Sequence, residues 1–344
     1  LSRTESGFNP PRKLFAAAPL DIEQPAALIH WLRDTGRLHA GETPEVRVLA
    51  GGVSNRTVLV RRASGEAWVL KQALPKLRVA VEWSCSPARI QREALGMACL
   101  GQLLPPGAVP ALVFEAPELH LLAMEAVPDP HENWKLRLLR EGPDPAHVRN
   151  FGSLLGLLHA RSRAQAAQLA HAFDDRSFFE QLRLEPFYEY TASRVPEAAG
   201  FLQRLAADTR ACRQALVHGD YSPKNILLRG SHLVLLDHEV IHWGDPSFDL
   251  GFALAHLLSK GHSLKPHREA FRAACSLFAD AYAAAAAPLP STWAGTAVRH
   301  ALGCLLARVA GRSPVEYLDP AARERQTRAV LQLMPAPPAD VPSL

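Results

Sequence analysis

Residues 215–228 read ALVHGDYSPKNILL: an apolar run, a polar knot holding His218, Asp220, Lys224 and Asn225, and a second apolar run that starts at once. A surface turn explains the polarity but not the immediate return to apolar residues. His218, Asp220 and Asn225 stand at the spacing H-x-D-x-x-x-x-N, in which the aspartate takes or orients the proton of an attacking hydroxyl and the asparagine holds a metal ion. The following ILL, RGSH and LVLLD read as strand, turn and strand, which brings Asp237 back to the end of the hairpin where Asp220 sits. Oxygen ligands converging there suit a hard Mg²⁺ bridging phosphate groups. His218 is expected to pack and orient the loop. Lys224 has two readings, a cation that neutralises a moving phosphate or a solvated loop lysine.

Upstream, the pattern changes character twice. Residues 21–38 carry apolar side chains at helical intervals, with Asp21 as N-cap and Gly36 as stop. From Val46 the sequence reads as three short antiparallel strands, the last ending at Lys71, and then as a helix capped by Ser86 with Pro87 first, whose apolar stripe runs Ile90, Ala94, Met97, Gly101 and Leu104. Glu93 falls on that stripe, where an unpaired carboxylate is expensive. Pairing with Lys71 would aim an ammonium at nucleotide phosphates; Glu93 at the helix edge with Lys71 in solvent is the alternative. In AGGVSNRTV, Gly51 and Gly52 allow close backbone approach, and the amides of Ser54 and Asn55 could donate to phosphate oxygens, though a two-glycine hairpin turn reads equally well. No G-x-x-x-x-G-K-[ST] occurs, which argues against a P-loop enzyme.

The chain of 344 residues has 38 basic and 34 acidic side chains, net charge +4, with no Lys/Arg block to track a phosphate backbone, so no nucleic acid is expected as partner. Five scattered cysteines without CxxC spacing fit a reduced, cytoplasmic location, and no window of ~18 uncharged apolar residues points to a membrane. The expected organisation is a loose segment over 1–20, an amino-terminal lobe over 21–127, a mainly helical lobe over 128–335 and a tail over 336–344, with the Pro-rich PDPHENW as linker. The helical readings in the second lobe are RNFGSLLGLLHARSRAQAAQLAHAF and an Ala-rich helix near 267–287.

VHGDYSPKNILL followed by LLDHEVIHWGDPSFDLG closely resembles the aminoglycoside phosphotransferase and choline kinase-like superfamily. The resemblance implies an α+β, bilobal protein-kinase-like fold and an ATP- and Mg-dependent transfer of a γ-phosphate to a hydroxyl of a small, sugar-like or amino-alcohol acceptor. It implies Asp220 as catalytic base, Asn225 and Asp237 as metal ligands, Lys71 paired with Glu93 on the phosphates, Glu125 to Val127 as adenine hinge, and Asp249 as a brace of the catalytic loop. VLKQALPKLRV, LLAMEAV and DHE are most similar to methylthioribose kinases, which adds Glu239 as ligand or support. Two features depart from that group: the asparagine at 225, and a single Arg308, preceded by Ala307, where those enzymes carry paired arginines. The acceptor is therefore left open.

Only a few residues separate DHE from GDPSFDLG, too few for a peptide-docking segment. The later helices are expected to wall a small-molecule pocket, with Trp243, Trp293, His256 and Arg308 as candidate lining. An aminoglycoside-modifying enzyme and a nucleotide-binding pseudokinase are the competing readings, and a homodimer is compatible with the sequence.

Overall fold

The computed structural model describes residues 20–50, 52–78 and 83–344. Strands β1 (Glu45–Val48), β2 (Asn55–Arg61), β3 (Ala67–Ala73), β4 (Leu112–Ala116) and β5 (Leu121–Glu125) form one antiparallel sheet in the order β1-β2-β3-β5-β4. Alternation along β3 sends Trp68 and Leu70 toward Leu28 and Leu32 of the helix Pro25–Asp34, and Val69 and Ala73 toward Ile90, Ala94 and Met97 of the helix Arg89–Leu103. Lys71 shares the parity of Val69 and Ala73. The sheet therefore delivers its side chain to the helix that carries Glu93.

Local expectations held unevenly. Gly36, at φ +70°, ends the first helix as read. Asp21 does not cap that helix: its Oδ1 takes the Glu23 amide at 2.9 Å, and the helix begins at Pro25, whose fixed φ suits a first position. Ser86 Oγ accepts the Ala88 amide at 3.3 Å, just ahead of the helix it was expected to start. Gly101 is exposed, because Leu100, Leu103 and Leu104 already occupy the buried side.

The linker is partly structured: β6 (Glu132–Asn133) pairs with β8 (Ile226–Arg229), which pairs with β9 (His232–Leu235), while β7 (Ala215–Val217) pairs with β10 (His242–Gly244). Around these hairpins lie the helices of the larger lobe. The helices Pro145–Ala164 and Arg268–Ala286 meet at Gly152 and Gly156, where an added Cβ would come 2.4 Å from Phe278 O and 2.7 Å from Tyr282 O. Phe151 stacks on Tyr221 of the loop that carries Asp220 at 4.3 Å, so the loop is seated on the helical core. No helix among the described residues is long and apolar enough to cross a membrane.

Candidate active site

Asp249, in the first turn of the helix Pro246–Ser263, is fully buried, and its carboxylate accepts the amides of His218 at 2.7 Å and Gly219 at 2.8 Å. His159 stands 3.3 Å behind it and contacts the Tyr282 hydroxyl at 3.0 Å. Gly219 has φ +77°, and a Cβ there would lie 2.9 Å from Val240 Cγ2, so the turn into Asp220 requires glycine. Asp220 is thus held from behind by backbone bonds.

Its two oxygens are in different situations. Oδ2 receives Arg183 Nη2 at 2.9 Å, Lys224 Nζ at 2.9 Å and Asn225 Nδ2 at 2.8 Å. Oδ1 is buried with no hydrogen-bond partner. Burial works to raise the Asp220 carboxyl, but Arg183 and Lys224 outweigh it and hold the group below the usual carboxylate range. Asn225 spends its Nδ2 on Asp220, leaving its Oδ1 as the oxygen available to a cation.

Across the cleft, Lys71 Nζ lies 2.6 Å from Glu93 Oε1 and 2.7 Å from Asp237 Oδ1. The pairing expected from strand parity and helix stripe is therefore present, and it bridges the lobes. Burial opposes the Lys71 charge, yet Asp237 and Glu93 hold it well above the ordinary lysine range. Glu93 is lifted to about 7 by burial, against the pull of Lys71. Asp237 follows β9 in the left-handed region, at φ +70°, which a short polar side chain tolerates; Lys71 and Lys224 overcome burial and keep it ionised. Among the described residues no group of three or more His, Cys, Asp or Glu side chains could hold a metal alone. The second oxygen of Asp237 and Oδ1 of Asn225 are nonetheless the hard donors a Mg²⁺ would share with phosphate oxygens.

The remaining candidates lie as follows. Glu239 Oε2 is taken by Arg89 Nε at 3.0 Å, and Arg89 also donates to the carbonyls of Cys85, Ser86, Ser54 and Leu74, so this pair ties the two lobes together. Gly51 lies outside the described residues, and a Cβ on Gly52 would come 3.2 Å from Asn55 O. Ser54 and Asn55 are buried at the base of the turn, with Ser54 O bound to Arg89 and to the Leu74 amide. At the hinge, Glu125 and Ala126 give their amides to Ala111 O and Ala67 O at 2.9 Å each, while Val127 N has no backbone acceptor among the described residues. A cavity of about 570 Å³ borders Glu125 to Val127 together with Ala108, Leu154 and Leu233, and none of Lys71, Asp220 and Asp237 lines it.

Trp243 pairs with Leu216 in β10, gives its amide to Phe173 O at 2.8 Å and packs in the hydrophobic core that also holds Tyr221 and Phe252. Trp293 packs against Tyr282 at 5.8 Å. Arg308 and His256 do come together, Nη2 to Nε2 at 3.0 Å, and the charge of Asp220 acts on Arg308. Two site residues escaped the sequence reading, Arg183 on Asp220 and Arg89 on Glu239. Arg183 belongs to the widened π-helix Glu180–Glu189, which has Pro186 inside it; a proline within a helical run was the one available signal.

The model of the phosphotransferase enzyme family APH matches residues 45–289. Methylthioribose kinase of Yersinia enterocolitica is 28% identical over 236 residues, covering 61% of this chain and 59% of that protein. Methylthioribose kinase of Citrobacter koseri is 27% identical over 224 residues, covering 58% and 56%. The chain spans about three fifths of the length of these curated relatives. Among solved structures, an amicoumacin kinase in complex with AMP-PNP, Ca2+ and Ami superposes with a TM-score of 0.60 at 13% identity, covering 90% of this chain and 94% of that one. A choline/ethanolamine kinase family protein from Mesorhizobium loti gives 0.52 at 17%, covering 90% and 95%. These superpositions show a shared bilobal fold, and with most of its length inside the family match the chain belongs to the phosphotransferase enzyme family.

Proposed function

We propose that the protein is a small-molecule kinase that moves the γ-phosphate of ATP, with Mg²⁺, onto a hydroxyl of a sugar-like or amino-alcohol acceptor. The observation that carries this reading is Asp220: one carboxylate oxygen tied by three donors, the other buried and unbonded beside the inter-lobe Lys71–Asp237 contact. An acceptor hydroxyl donating to Oδ1 satisfies that oxygen and directs its own oxygen at the phosphorus. The new O–P bond forms as the bond to the leaving diphosphate oxygen breaks, and the hydroxyl proton passes to Oδ1. With its carboxyl held below the usual range, Asp220 chiefly orients the hydroxyl and takes the proton late, as a loose phosphoryl transition state allows.

Lys71, held by Glu93, stabilises charge on the transferred and leaving phosphates, and Lys224 is placed to do so from the acceptor side. A divalent cation on Asp237 and Asn225, when bound, offsets phosphate charge. Glu239 is a support of this site through Arg89. The domain limits, the adenine contact at Glu125 to Val127 and the phosphate contact of the glycine turn belong to the same proposal, as does a cytoplasmic location. The test compares Mg-ATP hydrolysis and acceptor phosphorylation by the wild type and Asp220→Asn. Nucleotide binding without turnover in the wild type would return the protein to a nucleotide-binding interaction module, and turnover unchanged by the substitution would overturn the role of Asp220.

A further inference from the structure

Arg308, on the helix Trp293–Ala310, is buried, and its partners are Ser313 O at 2.9 Å, Ser313 Oγ at 3.1 Å and His256 Nε2 at 3.0 Å, while Nε has no acceptor. Its guanidinium lies 4.7 Å from the Phe187 ring and 5.1 Å from the Phe252 ring. The Arg183 guanidinium lies 5.8 and 5.9 Å from the same two rings, and it is the one that reaches Asp220. One aromatic pair therefore sets two guanidiniums beside the catalytic carboxylate.

A third cation stands behind them. Lys260 is fully buried one turn beyond His256, gives Nζ to His256 O at 3.0 Å and faces the Tyr317 ring at 5.1 Å. The Tyr317 hydroxyl is buried beside Ser259. Among the described residues neither Arg308 nor Lys260 has a carboxylate within ion-pair distance. Arg308 feels the charge of Asp220 and Lys260 that of Glu316, but with no carboxylate in contact both are costly to bury, and a ligand that brings an anion reduces that cost.

We infer that the phosphoryl acceptor carries an oxyanion, a carboxylate or a phosphate, near its reacting hydroxyl, and that Arg308 binds it with Lys260 and Arg183 completing a cationic wall. The inference rests on the kinase reading and narrows it. A guanidinium between aromatic faces presents a fixed donor fork to a carboxylate or phosphate, and the same charges repel amino-alcohol and aminoglycoside acceptors.

The test titrates sodium sulfate, at constant ionic strength, into protein saturated with Mg-AMP-PNP, for the wild type, Arg308→Gln and Lys260→Met. Sulfate is expected to bind the wild type, to bind Arg308→Gln at least ~10-fold more weakly and to weaken in Lys260→Met, while tetramethylammonium gives no binding heat. In ADP release, glycerate is expected to exceed glycerol and choline. Sulfate affinity equal within about threefold in all three proteins, or choline preferred over glycerate, overturns the inference. Should Arg308→Gln not fold, Lys260→Met and the sulfate–tetramethylammonium contrast decide alone. Failure of the wild type to bind Mg-AMP-PNP removes the kinase reading itself, whereas nucleotide binding with indifference to sulfate removes only the anionic acceptor.

Discussion

The two sides of the cleft keep opposite charge accounts. On the sheet side, Lys71 and Arg89 face three carboxylates, Glu93, Asp237 and Glu239. On the helical side, Arg183, Lys224 and Arg308 act on one, Asp220, and Lys260 stands behind Arg308 on His256, with Glu316 as the carboxylate that acts on it. The first side has carboxylate to spare for a cation; the second has cations to spare for an anion. Burial alone does not create this difference, since each side holds fully buried charged groups, Glu93 and Arg89 on one and Asp220 and Lys260 on the other. It comes from which partners the chain supplies, and it separates what each half can bind.

The largest break falls on the helical side. Asp220→Ala is expected to cut turnover by ~10²–10⁴-fold while Mg-ATP binding survives, measured by ADP release beside equilibrium nucleotide binding. Asp237→Ala acts on the sheet side and should reduce Mg-dependent nucleotide affinity at least ~10-fold, an effect that vanishes when binding is measured without metal. Loss of nucleotide binding in the first variant, or its metal-independent loss in the second, would erase the division of labour.

Stability sharpens the same contrast, with opposite signs. Glu239→Met leaves the buried Arg89 guanidinium without its carboxylate and should destabilise the fold by about 3–5 kcal/mol in denaturant unfolding. Lys260→Met removes a buried ammonium whose pKa burial pulls down to about 7, and should stabilise the ligand-free protein by about 1–4 kcal/mol. Destabilisation by both substitutions would overturn the contrast.

Legibility divides along different lines. Asp220, Asn225 and Asp237 were readable because the chemistry needs fixed residue types within one loop and one hairpin. Lys71 and Glu93 were readable because a period of two and a period near four each point a polar side chain into an apolar face. The Arg89–Glu239 pair joins residues 150 positions apart, and nothing local marks it. Arg183 sits in a π-helix whose wider turns erase the 3.6-residue stripe. Trp243 lies in a three-residue strand, which offers no alternation to tell core from pocket, and its pairing with β7 packs it in the core.

Acid should act on the two sides in opposite directions, with the helical side prevailing. Burial lowers the pKa of His218, His238, His242 and His256, that of His242 to about 4. Between pH 6.5 and 4 the unfolded chain therefore binds a proton that folded His242 refuses, and the other three act with the same sign, so stability is lost as pH falls below 6.5; the His242 share is about 3 kcal/mol. Glu93, raised to about 7, has the reverse sign: from there down to its unfolded value near 4.5 the folded state binds the extra proton, and acidification favours it. His262 is lowered by burial too, so five imidazoles oppose one carboxyl and the unfolding free energy should drop from pH 6.5 to pH 4.5. The drop should show regionally as well. His256 Nε2 meets Arg308, and its protonation sets an imidazolium against a guanidinium, so amide exchange should quicken in the helices Pro246–Ser263 and Trp293–Ala310 before it does in β3 and the helix Arg89–Leu103. Stability flat across that range, or the sheet loosening first, would reverse the assignment of the acid-sensitive side.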